Sequence, residues 1–201
     1  MSNFLAIDTS SRYLTVLAVN GEKKVLRHRD DCAMRHSVIL MEEIDAAFEG
    51  AGLSPSECDF FAAVTGPGSF TGIRIGIAAA KGFALAAGKP LVSVTSFELI
   101  AYNVTCDRFY AVIDAAHGCY YVCGFGADKK IILPPCYLSG EQTENLGAPL
   151  YGFEDIPLKN YTKTDISDSL FKAAPVNARV GNGKMTALYV RKSQAEEARK
   201  C

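Results

Sequence analysis

The sequence is short of the side chains that most often hold metal ions. It contains only three histidines, His28, His36 and His117, and no two of them are four residues apart. Its seven cysteines are an odd number and include no Cys-x-x-Cys pair. A zinc site at Cys119, Cys123 and His117 is the alternative, but its spacing is poor. We therefore predict no metal site and no catalytic residues, in a reduced, cytoplasmic protein.

The sequence also lacks a strong net charge and a long apolar run. Its 201 residues carry a formal net charge of −1, so the chain as a whole offers no electrostatic footprint for nucleic acid or an anionic membrane. No window reaches the roughly 20 apolar residues that span a bilayer, and no secretory leader precedes the first strand. With 49% hydrophobic residues, the composition is that of a globular protein with room for one large or two small domains.

The most informative stretch covers residues 64–76 and reads VTGPGSFTGIRIG. It predicts a strand, a tight turn and the start of a helix. Gly66 and Gly68 can adopt positive φ, Pro67 fixes φ between them, and Ser69 or Thr71 can cap the first helical turn.

Such a turn directs free backbone N–H groups and the positive end of a helix at one point, which favours an anion such as phosphate. The stretch lacks the Gly-Lys-Ser/Thr of a Walker loop and the third glycine of a dinucleotide motif. A tight connection that binds nothing therefore stays open as the alternative. The candidate nucleotide or anion contacts are Asp8, Thr9, Ser10, Gly66, Gly68 and Ser69.

The helix that follows, predicted over Phe70–Ala87, has only Arg74 and Lys81 as charges. A helix that is apolar on nearly all sides must be covered on nearly all sides. Gly72, Gly76 and Ala80 recur at four-residue intervals and predict a smooth face that another helix can approach. We expect one face to pack on a sheet and another on a partner; full burial within one chain is the alternative.

The predicted elements follow the order βββαβαβα and then begin again. Strands are expected at 4–8, 13–19, 23–28, 59–65 and 91–95, with helices at 33–49, 70–87 and 96–103. A second set of strands is expected at 109–114, 120–125 and 130–133. After Pro134 and Pro135 the repeat is expected to degrade into short apolar pieces at 148–151 and 187–190, a small helix near 166–173 and an exposed helix at 193–200.

This order is that of a ribonuclease-H-like half, the unit duplicated in the sugar kinase, actin and Hsp70 (ASKHA) group. The predicted fold class is α/β with two such domains, 1–104 and 105–201, the second truncated. Asp8 and Asp114 end the first strand of each repeat, so we expect them to face each other across a cleft. A weak ATP-binding or ATP-hydrolysing enzyme, or a metal-dependent peptidase or hydrolase, is the functional alternative.

Residues 65–76 resemble very closely the bacterial TsaB (YeaZ) family of tRNA threonylcarbamoyladenosine biosynthesis. The resemblance extends to Ile7-Asp8-Thr9-Ser10, Arg35-His36-Ser37 and Leu188-Tyr189-Val190-Arg191. It implies a non-catalytic subunit that pairs with the transferase TsaD and the ATPase TsaE. The complex modifies the adenosine 3′ of the anticodon in tRNAs that read A-starting codons.

The resemblance also implies that tRNA is bound only through the complex and that the chain alone is a homodimer. It implies no intrinsic cofactor. Binding of ATP or ADP at a subunit interface stays open as the alternative. Residues 94–99 read VTSFEL where the transferase carries a metal-binding His-x-x-x-His. In that family the first two long helices form the interface, which here implies contacts from His36, Ser37, Leu40, Met41, Ile44, Phe70, Ile73, Arg74, Ile77, Ala80, Lys81 and Ala84.

Overall fold

The computed structural model describes residues 2–32, 34–166, 168–180 and 184–191. Strands and helices alternate in an order that matches most of the predicted pattern. The strands are β1 (Phe4–Asp8), β2 (Leu14–Asn20), β3 (Lys23–Arg29), β4 (Phe60–Val64), β5 (Leu91–Val94), β6 (Phe109–Asp114), β7 (Cys119–Phe125), β8 (Ile131–Ser139), β9 (Leu150–Gly152) and β10 (Tyr161–Lys163). The helices are α1 (His36–Ala51), α2 (Phe70–Ala87), α3 (Ser96–Ala101), α4 (Gly140–Glu144) and α5 (Ser169–Val180).

The first sheet has the strand order β3-β2-β1-β4-β5. β1 pairs antiparallel with β2 and parallel with β4, so it lies at the centre of the sheet. All residues of β1 and of β4 are buried. Both strands read as continuous apolar runs because helices cover both faces of the sheet, which leaves no solvated side for alternating polar residues.

The second sheet repeats this arrangement, with the order β8-β7-β6-β9-β10. β6 occupies the place of β1, pairing antiparallel with β7 and parallel with β9. Two five-stranded sheets of matching order and direction confirm the predicted fold class of two ribonuclease-H-like units.

The prediction that the repeat degrades after Pro134 and Pro135 was wrong for the strands. β8 continues through both prolines to Ser139, and β9 and β10 complete the sheet. The prolines are tolerated because β8 is an edge strand, where a missing N–H need not break the ladder. The second unit is shortened in its helices instead, since α4, between β8 and β9, has five residues.

The first sheet is covered on both faces. On one face, α1 and α2 share a core with β1, β2 and β4. On the other face, β1, β4 and β5 pack with Leu99 of α3 and with Leu170, Ala173 and Ala174 of α5. α5 is longer than the small helix predicted near 166–173, and it belongs to the core of the first sheet although it lies far along the chain. The boundary between 1–104 and 105–201 stays a prediction.

The last described segment, residues 184–191, runs along the first unit without joining a ladder. Met185 is buried in the core beneath α2. The Leu188 N–H donates to the Thr65 carbonyl at 2.7 Å. The apolar piece predicted at 187–190 is therefore a packed, extended segment, and the helix predicted at 193–200 lies outside the described residues.

The start of α2 is packed directly against the turn between β1 and β2. The Ser69 N–H donates to the Ser10 carbonyl, and the Thr9 Oγ1 donates to the Gly72 carbonyl, both at 2.7 Å. A Cβ on Gly72 would overlap the Thr9 carbonyl oxygen, and one on Gly76 would lie 2.5 Å from Thr9 Oγ1. The smooth face of α2 thus receives this turn and not another helix, which corrects the prediction.

A buried carboxylate joins α1 to the edge strand β3. Glu43 is 3% exposed, and its two oxygens accept hydrogen bonds from the Nε atoms of Arg27 at 2.8 Å and Arg29 at 2.5 Å. Burial raises the pKa of Glu43, but the hydrogen bonds from Arg29 and Arg27 outweigh it, so the pKa lies below its ordinary value of 4.5. The ionised form of Glu43 therefore stabilises the folded chain.

We expect this contribution to disappear in acid. Because the pKa of Glu43 is lower in the folded than in the unfolded chain, the contribution is complete above about pH 4.5 and is lost as the pH falls through the folded-state pKa. Glu43→Gln should lower the free energy of unfolding by about 1–2 kcal/mol at pH 7, because the arginines are partly solvated. Urea unfolding of the wild type and of Glu43→Gln at pH 7 and pH 3 measures the free energy lost by the substitution at each pH. An equal loss of free energy at the two pH values would contradict the assignment.

The close packing of Gly72 against the β1–β2 turn leads to a second prediction. Gly72→Ala should lower the free energy of unfolding by about 2–3 kcal/mol, because the added methyl group overlaps main chain that cannot move away freely. Gly82→Ala in the same helix should raise it by roughly 0.5–1 kcal/mol, because an added Cβ there meets nothing within 4 Å. Urea unfolding at one protein concentration compares them; a tolerated Gly72→Ala would show that the contact is not tight.

Candidate functional site

A cleft separates the ends of the two sheets. Its cavity of about 580 Å³ lies between the β1–β2 turn and the start of α2 on one side, and the end of β6 and the residues after β9 on the other. Polar and charged side chains line it, among them Arg12, His36, Ser69, Asp114 and Glu154. Loops at the carboxyl ends of parallel strands commonly hold ligands in α/β proteins.

Of the six predicted anion contacts, Ser10, Gly68 and Ser69 line this cavity, and polar groups of the set are already hydrogen-bonded within the chain. Asp8 is 2% exposed, and its Oδ1 accepts hydrogen bonds from the Ser10 N–H at 2.8 Å and the Ser10 Oγ at 2.7 Å. Burial raises the pKa of Asp8, while the two Ser10 hydrogen bonds oppose the shift. Ser69 Oγ accepts from the Gly72 N–H, and the Gly66 carbonyl accepts from the Ser96 N–H.

These hydrogen bonds favour the tight connection over an open phosphate cradle. The glycines of the turn are required by the neighbouring chain: a Cβ on Gly68 would overlap the Ser10 carbonyl oxygen. Gly68 also has a φ of +155°, which few other residues adopt. Nucleotide binding at these six residues stays a prediction.

The two aspartates that end β1 and β6 differ in their surroundings. Asp8 is enclosed, whereas Asp114 is exposed at the cavity. Asp114 Oδ1 accepts from the Ala116 N–H, and Glu154 Oε2 accepts from the Asp114 N–H, both at 2.9 Å. Within the described residues, no group of three or more His, Cys, Asp or Glu side chains is placed to hold a metal ion.

Glu154 is a cleft residue that sequence reasoning missed. Burial raises the pKa of its carboxyl above the ordinary value, with a smaller contribution from the charge of Asp114. It lies in the irregular segment after β9, where no motif or periodicity marks it. The one feature that could have suggested that it points to the cleft is its position shortly after Gly152, the last residue of β9.

Residues 94–99, where the resemblance implies a metal-binding His-x-x-x-His in the transferase, have a structural role in this chain. Thr95 caps α3: its Oγ1 accepts from the Glu98 N–H at 3.1 Å, and Glu98 Oε2 accepts from the Thr95 N–H at 2.6 Å. Phe97 is buried in the core between the two units. These contacts form a capping box, which stabilises the start of a helix.

The structure divides the predicted partner contacts on α1 and α2 into two groups. Seven of the twelve residues are buried inside the chain. The remaining five are exposed. The buried residues are His36, Leu40, Ile44, Ile73, Ile77, Ala80 and Ala84. The exposed residues are Ser37, Met41, Phe70, Arg74 and Lys81.

His36 has a packing role. It is 4% exposed, and its Nε2 lies 3.1 Å from the Tyr13 carbonyl oxygen. The other six buried residues form the core with the first sheet, because the side of α2 that carries Ile73 and Ile77 faces that sheet. Periodicity showed two apolar stripes on α2 but not which of them faces inward.

The side of α1 and α2 that points away from the sheet is exposed, and we call it the outer helix face. It includes large apolar side chains with high exposed fractions: Val38 at 73%, Met41 at 49% and Leu85 at 85%. The outer helix face comprises Val38, Met41, Glu42, Asp45 and Glu49 of α1 and Ala78, Lys81, Gly82 and Leu85 of α2. The charged residues mark this outward stripe, and that signal was available in the sequence.

By length and composition, α2 is also the one helix in the described part of the chain that could cross a membrane. A core helix passes the same test, and α2 packs Ile73, Ile77, Ala80 and Ala84 into the core of the first sheet. Arg74 and Lys81 are exposed on its other side. The packing is that of a helix covering a sheet.

Phe70 and Arg74, at the start of α2, contact the chain itself. The Arg74 guanidinium carbon lies 3.8 Å from the centre of the Phe70 ring, and Arg74 Nε donates to the Tyr189 hydroxyl at 2.9 Å. The Phe70 and Tyr189 rings lie 5.3 Å apart. The segment 184–191 therefore borders the outer helix face at this end.

Comparison with known proteins relates the chain to one family. Residues 30–177 match the family model described as tRNA N6-adenosine threonylcarbamoyltransferase, TsaD. The tRNA threonylcarbamoyladenosine biosynthesis protein TsaB of Escherichia coli is 32% identical over 149 residues, covering 72% of this chain and 62% of the relative. TsaB of Haemophilus influenzae is 35% identical over 117 residues, covering 55% of this chain and 48% of the relative.

A solved structure shows the same fold. YeaZ from Pseudomonas aeruginosa superposes with a TM-score of 0.77 at 23% identity, covering 94% of this chain and all of that chain. The matches to the curated relatives span about half to two thirds of their lengths. The family-model match and the sequence relatives together show that the chain belongs to the family that includes the TsaD and TsaB (YeaZ) proteins.

Proposed function

We propose that this chain is an accessory subunit in the biosynthesis of threonylcarbamoyladenosine in tRNA, and that it acts by pairing its outer helix face with a transferase subunit of the TsaD type. The observation that carries the proposal is the exposure of Val38, Met41 and Leu85 on two adjacent helices. The names of the curated relatives supply the pathway. The TsaE ATPase as a further partner and a cytoplasmic location stay predictions.

The physical argument for a partner is the cost of exposing this face to water. Each large aliphatic side chain that becomes fully buried contributes roughly 1.5–3 kcal/mol. Contiguous exposed apolar patches on folded chains mark interaction sites more often than isolated exposed residues do. Ala78 and Gly82, between the larger side chains, allow a partner helix to approach α2 closely.

A transferase partner is favoured because this chain is similar to both kinds of protein. It matches the TsaD family model and is similar in sequence to TsaB proteins. Two chains of one fold can present equivalent helix pairs to each other. We assign the chemistry to the partner because Thr95, Phe97 and Glu98 cap and pack α3 at the position where the transferase carries its histidines.

ATP or ADP at a subunit boundary is a second candidate function. The supporting observation is the cavity of about 580 Å³, with the exposed Arg12 at its edge. Calorimetric titration of ADP into the chain alone and into the chain with its transferase would locate a site. Arg12→Ala should weaken binding if the phosphates lie in this cleft, and unchanged binding would assign the nucleotide to the partner.

The pairing surface can be tested by substitution. Ala78→Glu and Leu85→Glu each place a carboxylate on the outer helix face, where pairing would bury it. Binding to the transferase subunit should weaken at least about tenfold, as expected when a charge is placed in a buried contact. Co-purification and calorimetry measure pairing, and threonylcarbamoyladenosine content in cells that lack the native gene measures function.

The matched control is Ile132→Glu, which changes an apolar residue, 49% exposed, on β8 of the second sheet. It should leave pairing and tRNA modification unchanged. Thermal unfolding verifies that all three variants fold, as their exposed positions predict. Normal pairing by both α2 variants, or loss of pairing by the control, would contradict the proposal.

A further inference from the structure

A second cavity, of about 320 Å³, lies next to the cleft and shares Gly68 with it. It lies between the start of α2 in the first unit and the β6–β7 turn in the second, and the end of the last described segment borders it. We call it the aromatic cavity. The side chains that line it and that can stack or carry positive charge are Phe70, His117, Tyr121, Tyr189 and Arg191.

An arginine contacts the aromatic rings on the first-unit side of the aromatic cavity. The Arg74 guanidinium lies over the Phe70 ring and donates to the Tyr189 hydroxyl. The two rings contact each other, yet Phe70 is 44% and Tyr189 is 46% exposed. Both rings therefore have open surface on which a further planar group can stack.

A second arginine contacts aromatic rings on the other side of the aromatic cavity. The Arg191 guanidinium carbon lies 4.8 Å from the centre of the Tyr137 ring, and Arg191 Nη1 donates to the Tyr137 hydroxyl at 2.9 Å. The Tyr137 ring in turn lies 5.9 Å from the ring of Tyr121, which lines the cavity from β7. A planar ligand in this cavity would therefore lie between two sets of aromatic rings, each in contact with an arginine.

The local charge of the aromatic cavity is positive, although the chain as a whole carries a formal net charge of −1. Among the described residues that line the cavity, none is acidic, whereas Arg191 and His117 can carry positive charge. Asp114, just before the β6–β7 turn, lines the cleft instead. Arg74 forms no salt bridge with any described residue. The cavity therefore favours a ligand with negative charge.

Aromatic walls with arginines beside them suit a nucleobase that is attached to phosphate. Unpaired bases stack on aromatic rings and on arginine planes, and arginine also pairs with phosphate groups. The volume of about 320 Å³ is at the lower end of the range of roughly 300–1,000 Å³ for small-ligand sites, so it suits a single nucleoside. A double helix cannot enter a cavity of this size, whereas an unpaired nucleotide can.

We propose that the aromatic cavity binds an unpaired base of tRNA, which stacks against Tyr189 and Tyr121 while Arg191 contacts a neighbouring phosphate. The inference rests on the proposed function, which supplies tRNA as the RNA. Among the described residues that line the cavity, none belongs to the outer helix face, so the chain can contact the transferase and the tRNA together. Because one stacked base is a weak contact, it adds to the tRNA affinity of the complex and does not replace it.

The stacking contact can be tested at Tyr189. An unmodified tRNA transcript that reads an A-starting codon is titrated into the complex of this chain with its transferase, and fluorescence anisotropy follows binding. Tyr189→Ala should weaken tRNA binding at least about fivefold, because one base–aromatic stack is lost. Tyr189→Phe should bind tRNA as the wild type does, because it keeps the ring and removes only the hydroxyl that accepts from Arg74.

The phosphate contact can be tested at Arg191 through its salt dependence. Arg191→Ala should reduce the slope of log affinity against log salt concentration by roughly 0.7–0.9, because one phosphate is no longer neutralised. Tyr189→Ala should leave this slope unchanged. The matched control is Arg108→Ala, at an exposed position at the other end of β6, which removes the same charge and should change neither affinity nor slope. An unchanged slope for Arg191→Ala would leave Arg191 only a role in holding Tyr137 and would contradict the phosphate contact.

Two further titrations separate an RNA contact from a site for a free nucleotide. A single-stranded RNA hexamer should bind the chain alone weakly, and Tyr189→Ala should remove this binding. ADP is titrated into the same complexes that are used for tRNA. If Tyr189→Ala weakens the binding of ADP and leaves the binding of tRNA unchanged, the aromatic cavity holds a free nucleotide and the RNA assignment is wrong.

Pairing with the transferase is measured separately, so that the two proposals fail separately. Calorimetry and thermal unfolding verify that each variant pairs and folds, as the exposed positions of Tyr189 and Arg191 predict. Normal pairing of Tyr189→Ala together with unchanged tRNA affinity would overturn the RNA site and leave the proposed function intact. If the chain does not pair with the transferase, the proposed function fails, whereas binding of the hexamer that depends on Tyr189 would still support the RNA site.

Discussion

The contact between the β1–β2 turn and the glycines of α2 determines how α2 is oriented on the first sheet. Thr9 and Ser10 approach Gly68, Gly72 and Gly76 so closely that no Cβ could be accommodated on the last two without overlap or displacement. This contact fixes the rotation of α2 about its own axis. The rotation in turn determines that Ile73, Ile77, Ala80 and Ala84 face the sheet, and that Ala78, Lys81 and Leu85 face outward.

Much of the fold could be predicted from local signals. Glycine and proline punctuation together with apolar runs predicted β1, β6 and α2 at the observed bounds, and the repeated strand order predicted the duplicated unit. Local signals failed where tertiary context decided. β8 passes through two prolines because it lies at a sheet edge, and the three-residue strands β9 and β10 are too short to show a period. α5 was underestimated because its partners belong to the first sheet, whose strands lie much earlier in the chain.

The candidate site was predictable as a region but not residue by residue. An all-apolar helix has no strong periodic contrast, so sequence alone could not decide which stripe of α2 is buried. The charges contained the missing information: Arg74 and Lys81 fall on the stripe that includes Ala78 and Leu85, and Asp45 and Glu49 fall on the stripe of Met41. Charged side chains are rarely buried without partners, so their positions mark the solvent side more reliably than apolar residues mark the core.

The cleft and the outer helix face differ in how far their groups are already satisfied. In the cleft, Asp8 is hydrogen-bonded to Ser10, Ser69 caps α2, and the main chain of Thr9 and Ser10 occupies the space that the glycines leave. On the outer helix face, Val38 and Leu85 are exposed and Lys81 has no ion-pair partner among the described residues. Binding at the first site would have to replace contacts that the chain makes with itself, whereas binding at the second would only remove apolar surface from water. The exposed apolar side chains of the two helices are therefore the surface on which the proposed pairing depends.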